Sequence, residues 1–402
     1  MSNLKMLYYY ELKKLWKRKM IWVTLLICLV ATAITMLGEL IGYYYIGSEK
    51  ADTKYHMFLV DREYQKRLDG REIDQSLLEE MSDAYGRIPM TAEKYSLTEE
   101  YQKYARPYCA VFNFVRDTTR MTVSEMMQWI PDLEDFYRKR QTMLEEDWES
   151  CSLSDGEKEF WRQKEAELEV PFVYRITESY NMLLQSVATV GVLVLLSVSI
   201  CLSGVFAEEH TRRTDQLILC SKHGKDAAYW AKVLAGVSFA VGVSFLLFTF
   251  AAILAFGVYG AEGFDAAFQL IFAKYSYPVT VGQMVFILYG CVMVTAVIFS
   301  VFVMVLSELF HSGIATLAVT SGMIILSMIC SVPVQYRIAA QIWNWFPSSF
   351  LAPWNIFDVW MVSVFGHYFT AWQAVPVIYV VISVGIGAIG KIVYRRFQVS
   401  GR

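Results

Sequence analysis

The residues whose types could do chemistry are concentrated in a short segment that follows the second long apolar run. Its charged side chains suit ionic contacts and its leucines suit burial against another protein: Glu208, Glu209, Arg212, Arg213, Asp215, Leu217 and Leu219. In an interface, charges of this kind set register and apolar side chains supply buried area. The segment therefore predicts a short helix that docks onto a partner and carries its motion to the neighbouring elements. A solvated connector is the alternative.

Motifs for catalysis or cofactor binding are absent from the chain. It contains no Walker-type phosphate loop, no H-E-x-x-H, no C-x-x-C pair and no G-x-S-x-G. Its five histidines are scattered, whereas a metal site needs ligands clustered at short spacing. The sequence therefore predicts no catalytic residue, no metal and no cofactor in this chain.

The elements that must position the docking segment are long apolar helices. The chain has 402 residues, of which 55% are hydrophobic and 19% charged, and six runs contain no Asp, Glu, Lys or Arg. Crossing a bilayer takes about 20 apolar residues in a helix. We therefore predict an all-α integral membrane protein with six transmembrane helices, at 20–42, 183–206, 231–258, 281–306, 312–332 and 374–392.

Basic residues predict the orientation of these helices. Lys and Arg cluster before the first run, between the second and third, and after the sixth, and such clusters mark the cytoplasmic side. We therefore expect a multi-pass plasma-membrane protein with both termini, the tail 393–402 and the docking segment 207–230 in the cytoplasm. Residues 1–19 read either as an amphipathic helix on the cytoplasmic membrane surface or as a simple basic anchor.

The segment 43–182 differs from the rest of the chain in charge. It has 19 Lys and Arg against 29 Asp and Glu, a net charge of −10, while the remaining residues carry +7. Apolar residues at helical spacing and a cap at Ser154 predict a helical extracellular domain inserted between helices 1 and 2. Its acidity suits a cationic peptide, or serves only solubility. Cys109 and Cys151 could form a disulfide there or stay free.

Aromatic residues dominate the segment 333–373, which is too interrupted to span a membrane. Tryptophans gather at the level of lipid headgroups, so we expect short helices in the outer leaflet, with an aromatic belt that touches membrane lipid: Trp343, Trp345, Trp354 and Trp360. An ordinary packed extracellular cap is the alternative. The loop 259–280 is expected on the same side.

The apolar runs lack the buried ionisable groups that ion-coupled pumps need at membrane depth. Uphill transport by this chain would therefore need energy from elsewhere. An apolar, aromatic-rimmed membrane body also suits an amphipathic or lipid-like cargo better than a small ion.

With these parts in this order, the chain resembles the permease subunits of type-2 ABC transporters, mostly exporters. The resemblance rests on the basic N-terminal helix, six spans, the broken aromatic segment, and a loop pattern: Glu209, Thr214, Leu217, Leu219, Ser221 and the downstream Lys232. It implies that the loop is a coupling helix that docks onto a separate ATP-binding subunit, which holds ATP and Mg²⁺. It also implies a permease homo- or heterodimer.

Two features depart from that family pattern. Arg213 stands where a glycine is common, and the insertion of 140 residues is larger than in minimal members. The expected function is export of an amphipathic, peptide or lipid-like substrate, with no enzymatic activity in this chain and no nucleic-acid partner. The alternative is a membrane-anchored receptor or assembly factor whose acidic extracellular domain binds a peptide or envelope partner.

Overall fold

The computed structural model describes residues 2–46, 49–89, 95–211 and 226–396. Within them the chain is mostly helical, as the composition predicts. It begins with α1 (Ser2–Trp16) and α2 (Lys19–Leu37), which are separated at Arg18, whose backbone is extended. A single 3₁₀ turn, Gly38–Leu40, ends α2.

The segment between α2 and the next long apolar helix, called here the insert, contains a two-stranded ribbon followed by short helices. Its elements are β1 (Tyr43–Ile46), β2 (Glu49–Thr53), α3 (Lys54–Leu68), α4 (Gln75–Gly86), α5 (Cys109–Thr119), α6 (Val123–Gln128), α7 (Leu133–Ser150) and α8 (Asp155–Ala166). The predicted cap at Ser154 is confirmed. Its side chain accepts the backbone N–H of Glu157, whose carboxylate in turn accepts the backbone N–H of Ser154.

Most of the long apolar helices follow the insert. They are α9 (Glu178–Leu202), the short α10 (Ala207–Thr211), α11 (Ala227–Tyr259), α12 (Val281–Phe310) and α13 (Gly313–Ile329). Then come three short helices, a hairpin and a last long helix: α14 (Arg337–Asn344), α15 (Pro347–Phe350), α16 (Pro353–Ile356), β3 (Val362–Val364), β4 (His367–Phe369) and α17 (Ala371–Arg396).

Five of the described helices are long and apolar enough to cross a membrane: Lys19–Leu40, Glu178–Thr211, Ala227–Tyr259, Val281–Phe310 and Ala371–Arg395. The predicted span 312–332 is shorter. Its helix α13 ends at Ile329, and after Pro333 the chain turns by 117° into Val334–Asn344. Pro333 disfavours helical backbone at the residue before it, Val332, so a helix does not continue through this point. Counting this bent pair as one broken span gives up to six, which fits a multi-pass membrane protein.

Burial explains how the long helices are arranged. The apolar part of α9 is mostly buried among the other helices, whereas α2 and α17 leave most of theirs exposed on the outside of the bundle. Exposed apolar side chains on α2 include Leu26 and Ile27. Such a surface is stable in lipid and unfavourable in water, so the arrangement suits a bundle immersed in a membrane.

The insert has its own apolar core and also shares the core of the bundle. Leu77, Phe112 and Phe136 belong to the separate core, while Trp161 packs with the bundle residues. Its indole N–H donates to the carbonyl of Val359 over 3.0 Å. The insert is therefore fastened to the segment after α16.

Cys109 and Cys151 are both free thiols, so the structure contains no bridge between them. Cys109 begins α5 and accepts a hydrogen bond from the Asn113 amide at 3.5 Å, while Cys151 follows α7. The carbonyl of Cys151 accepts the indole N–H of Trp360 at 2.9 Å. Each thiol thus has its own surroundings in the insert.

Candidate functional site

The predicted docking segment begins in the described part of the chain and continues outside it. Glu208 and Glu209 lie in α10, directly after α9. The other candidates lie outside the described residues: Arg212, Arg213, Asp215, Leu217 and Leu219. The structure therefore describes the two points from which the segment 212–225 departs and returns, at α10 and α11.

At the departure point, Glu209 is held by two lysines. Its carboxylate pairs with the ammonium groups of Lys232 on α11 and Lys14 on α1, the latter at 2.9 Å. Lys232 is only 1% exposed and also pairs with Glu11 of α1, at 3.0 Å between Nζ and Oε1. The N-terminal helix α1 therefore meets α10 and α11, which are distant from it in sequence, in one ionic cluster.

Burial makes this cluster a strong constraint on α10. A buried charge that loses its partner is left uncompensated in a poorly polarisable environment, which costs several kcal/mol. Because Lys232 and Glu209 are both buried, α10 cannot leave α11 without breaking the pair. A second pair, Arg18 with Glu208 at 2.9 Å, is more exposed and contributes less.

The end of α12 is attached to the same region. The Ser307 hydroxyl donates to the Ser203 carbonyl over 2.6 Å and accepts the backbone N–H of Ala207 at 3.2 Å. It thereby fixes the turn between α9 and α10. The carboxylate of Glu308, which is 1% exposed, lies 3.0 Å from Nε2 of His210.

His210, Glu308 and His311 are also close enough to supply metal ligands, since their ligand atoms lie within 4.8 Å of one another. The two histidine rings meet edge to face at 4.1 Å between centroids. The contact of His210 with Glu308 also joins α10 to the end of α12.

At the return point, an ion pair fixes the start of α11. Asp226 is bound by Lys391 of α17 at 2.9 Å, with Arg395 at 3.9 Å. Hydrogen bonding to Lys391 lowers the pKa of the Asp226 carboxyl below its ordinary value. The described residues on both sides of the segment 212–225 therefore form ion pairs with the long helices.

This arrangement links the described neighbours of the segment 212–225 to several of the long helices. A displacement of the segment 212–225 would act on α10 and α11 directly, and through the ion pairs on α1, α12 and α17. The chain passes from the insert into α9 at Glu178, and it reaches α10 after Leu202, the last residue of α9. With a rise of about 1.5 Å per residue, 25 residues separate the two ends by about 37 Å.

The four predicted belt tryptophans have different surroundings. Trp354 is 58% exposed, Trp343 and Trp345 are half-buried, and Trp360 is buried. The indole N–H of Trp343 donates to the Cys330 carbonyl at 2.8 Å. Trp354 is thus the member with a ring free to touch lipid, while Trp360 packs between the bundle and the insert.

The sequence indicates only in part which buried charges pair around α10. Lys232 stands out as a charge near the start of an apolar helix, and Glu308 as one near the end of another. Ionisable groups at such positions need partners, so the sequence indicates that Lys232 and Glu308 are each paired. Their actual partners, Glu11, Glu209 and His210, are distant in sequence, and no pattern indicates the pairing.

The comparisons with known proteins identify no relative. No family model, no curated protein and no solved structure matches this chain.

Proposed function

We propose that this chain is the membrane-spanning permease subunit of an ATP-driven exporter of the type-2 ABC class. One observation carries the proposal: the described residues on either side of the segment 212–225 form ion pairs with long apolar helices, through Glu209 and Asp226. A partner that moves this segment would move the helices with it. A solvated connector would not need a buried, paired carboxylate beside it such as that of Glu209.

The distribution of charge supports an external source of energy. Among the described residues, the membrane-length helices carry charged side chains only near their ends, such as Lys232 and Glu308. Ion-coupled transporters bind their ion with charged or polar groups near the bilayer midplane. A separate ATP-binding subunit, which holds ATP and Mg²⁺, fits this bundle better as the source of energy.

The remaining parts of the proposal follow from the sequence. In this proposal six spans, counting the bent pair as one, put both termini on the same side of the plasma membrane, and the basic clusters make that side the cytoplasm, with the insert outside. A second permease chain completes the pathway, membrane lipid surrounds the bundle, and the cargo is amphipathic, peptide or lipid-like. The acidic insert, with a net charge of −10, is positioned to attract a cationic peptide.

Affinity purification of the tagged chain from membranes of its source cells tests the proposal. We expect an ATPase with a Walker motif to copurify with it. Replacing Leu217 and Leu219 by Asp places two charges in the docking contact and should abolish copurification at unchanged membrane abundance. The matched control changes both leucines to Met, which keeps apolar volume and should retain the ATPase.

Two results would argue against the proposal. Retention of the ATPase by the Asp variant would remove the docking role of the segment. Copurification of a peptide or envelope protein with no ATPase would instead favour the receptor or assembly factor.

A further inference from the structure

A cleft of about 600 Å³ lies where the insert meets the bundle. It lies between α3, the start of α5, the first turns of α9 and the end of α11. Five aromatic rings line it: Tyr44, Phe58, Tyr64, Tyr101 and Tyr259. A volume of this order accommodates a small organic molecule or the end of a peptide.

Glu178 and Gln65 provide the polar part of the lining. The Gln65 amide donates to Oε1 of Glu178 over 2.7 Å. The other two oxygens, Oε2 of Glu178 and Oε1 of Gln65, are both buried and accept no hydrogen bond from the described residues. Both residues also line an adjoining cavity of about 290 Å³. Buried acceptors without donors are costly, so this pair has unused capacity for a ligand that carries N–H groups.

Nearby arginines do not meet that need, because each is already engaged. The guanidinium of Arg62 donates to both oxygens of Glu262 at 2.9 Å. Arg106 donates to Asp61 at 2.6 Å and to Gln102 at 2.8 Å. Lys54 also lines the cleft, but among the described residues neither it nor an arginine forms an ion pair with Glu178, whose carboxylate therefore has no cationic group in direct contact.

The surrounding rings restrict the kind of cation. A cation over an aromatic face is stabilised by the ring quadrupole, and a ligand with an apolar body also gains from burial against the rings. A hard metal ion such as Ca²⁺ takes six to eight oxygen ligands, and among the described residues no three carboxylate, histidine or cysteine side chains converge at this cleft closely enough to hold one. The lining therefore favours an organic ammonium or guanidinium group.

We propose that this cleft binds an organic cation, with its N–H groups on Glu178 and Gln65 and its apolar body against the aromatic rings. The cation can be a small amphipathic amine or a cationic group at the end of a peptide, since both present the same chemistry. The proposal gives the cargo of the proposed exporter a chemical class. Binding needs no ATPase, however, so this inference can fail or hold independently of the coupling proposal.

Calorimetric titration of the purified full-length chain in lipid nanodiscs tests it. The probes are 2-phenylethylammonium, its uncharged analogue 2-phenylethanol, and the tripeptide Lys-Phe-Lys. We expect saturable binding of at least one of the two cationic probes, at least about tenfold tighter than that of the alcohol, which corresponds to about 1.4 kcal/mol. Tighter binding of the amine points to a small-molecule ligand, and tighter binding of the tripeptide to a peptide.

The variants locate the site. Glu178→Gln should weaken binding of the cation about tenfold or more, while Glu169→Gln, which removes an exposed carboxylate of the insert, should leave it unchanged. Tyr64→Leu removes a lining ring without touching the buried carboxylate and should also weaken binding, which keeps the test informative if Glu178→Gln does not fold. Equal affinity for the amine and the alcohol, no binding of either cation, or unchanged affinity in folded Glu178→Gln would overturn the proposal.

Discussion

At the residue scale, the molecule depends on a few buried ion pairs between distant segments. The pair of Lys232 with Glu209 is the most enclosed of those around the docking segment, with side-chain exposures of 1% and 8%. It can exist only because α1 adds Lys14 and Glu11 to it. The charges are therefore balanced as a group of four rather than as isolated pairs.

Removing the buried lysine should be far more damaging than removing the exposed one. We expect Lys232→Met to lower the free energy of unfolding by about 3 kcal/mol, because Glu209 stays buried without its lysine partner on α11. Lys14→Met, at a side chain that is 45% exposed, should cost less than about 1 kcal/mol. Thermal unfolding in detergent, followed by intrinsic fluorescence, measures both. Equal losses would contradict the burial argument.

A second pair joins the insert to α14 and gives a pH prediction. Burial acts to raise the pKa of Glu157, but the Arg337 guanidinium and the backbone N–H of Ser154 outweigh it and hold the pKa below its ordinary value of 4.5. A carboxyl with a depressed folded-state pKa stabilises the fold above its unfolded pKa and loses that contribution as pH falls through the folded value.

Arg337→Gln should therefore destabilise the protein at pH 7 by about 1–3 kcal/mol, and the difference from the unsubstituted chain should shrink as the pH falls below 4.5. Arg162→Gln, which breaks an exposed pair with Glu145, serves as the control and should have little effect at pH 7. Melting temperatures measured from pH 3.5 to 8 provide the comparison. A difference that stays constant with pH would show that the ion pair is not its cause.

At the element scale, the close packing of α17 against α11 and α12 depends on a small residue. A Cβ at Gly390 would lie 2.6 Å from Cγ2 of Val305 and too close to the hydroxyl of Tyr229. That hydroxyl donates to the Gly387 carbonyl over 2.8 Å. Neither neighbour can move freely, since Val305 is branched and Tyr229 is buried.

Gly390→Ala should therefore lower the free energy of unfolding by about 1–3 kcal/mol through overpacking. Gly385→Ala lies in the same helix, where a Cβ meets nothing within 4 Å, and alanine there should be neutral or slightly stabilising. The free energies of unfolding of the two variants, measured in the same detergent, test this prediction. A Gly385 variant as unstable as the Gly390 variant would point to the helix itself rather than to its packing.

The sequence predicts elements well where the signal is local. The apolar runs correspond to long helices, and the Ser154 cap lies where the side-chain pattern places it. The bend after α13 could be suspected from Pro333, but the angle of 117° could not, because it depends on how α14 and α15 pack. The docking of α1 on α11, through Tyr8 and Ser238 at 2.9 Å, is likewise a long-range contact that periodicity does not encode.

At the scale of the whole molecule, the sequence separates an acidic insert from a basic bundle, but it does not reveal how they are joined. Composition favours an exposed acidic domain, and the structure adds that Trp161 and Trp360 couple the insert to the bundle through hydrogen bonds to backbone carbonyls. Neither tryptophan could be assigned this role in advance, because an aromatic ring suits a core and a membrane surface equally.

The proposed orientation in the membrane rests on the basic clusters. We expect a cysteine introduced at Ile130, which is 86% exposed in the insert, to react with a membrane-impermeant maleimide on intact cells. A cysteine at Lys5 in α1 should react only after the membrane is opened. The unsubstituted chain serves as the blank for its own thiols. Labelling of the Lys5 position, and not the Ile130 position, from outside would invert the proposed topology.

The central claim is that the segment between α10 and α11 couples the bundle to an ATPase. The most direct measurement is the rate of ATP hydrolysis by the purified ATPase after reconstitution with this chain in lipid nanodiscs. We predict that the unsubstituted chain stimulates hydrolysis, that the variant with Leu217 and Leu219 changed to Asp does not, and that the matched Met variant does. Equal stimulation by the Asp variant and the unsubstituted chain would contradict the claim.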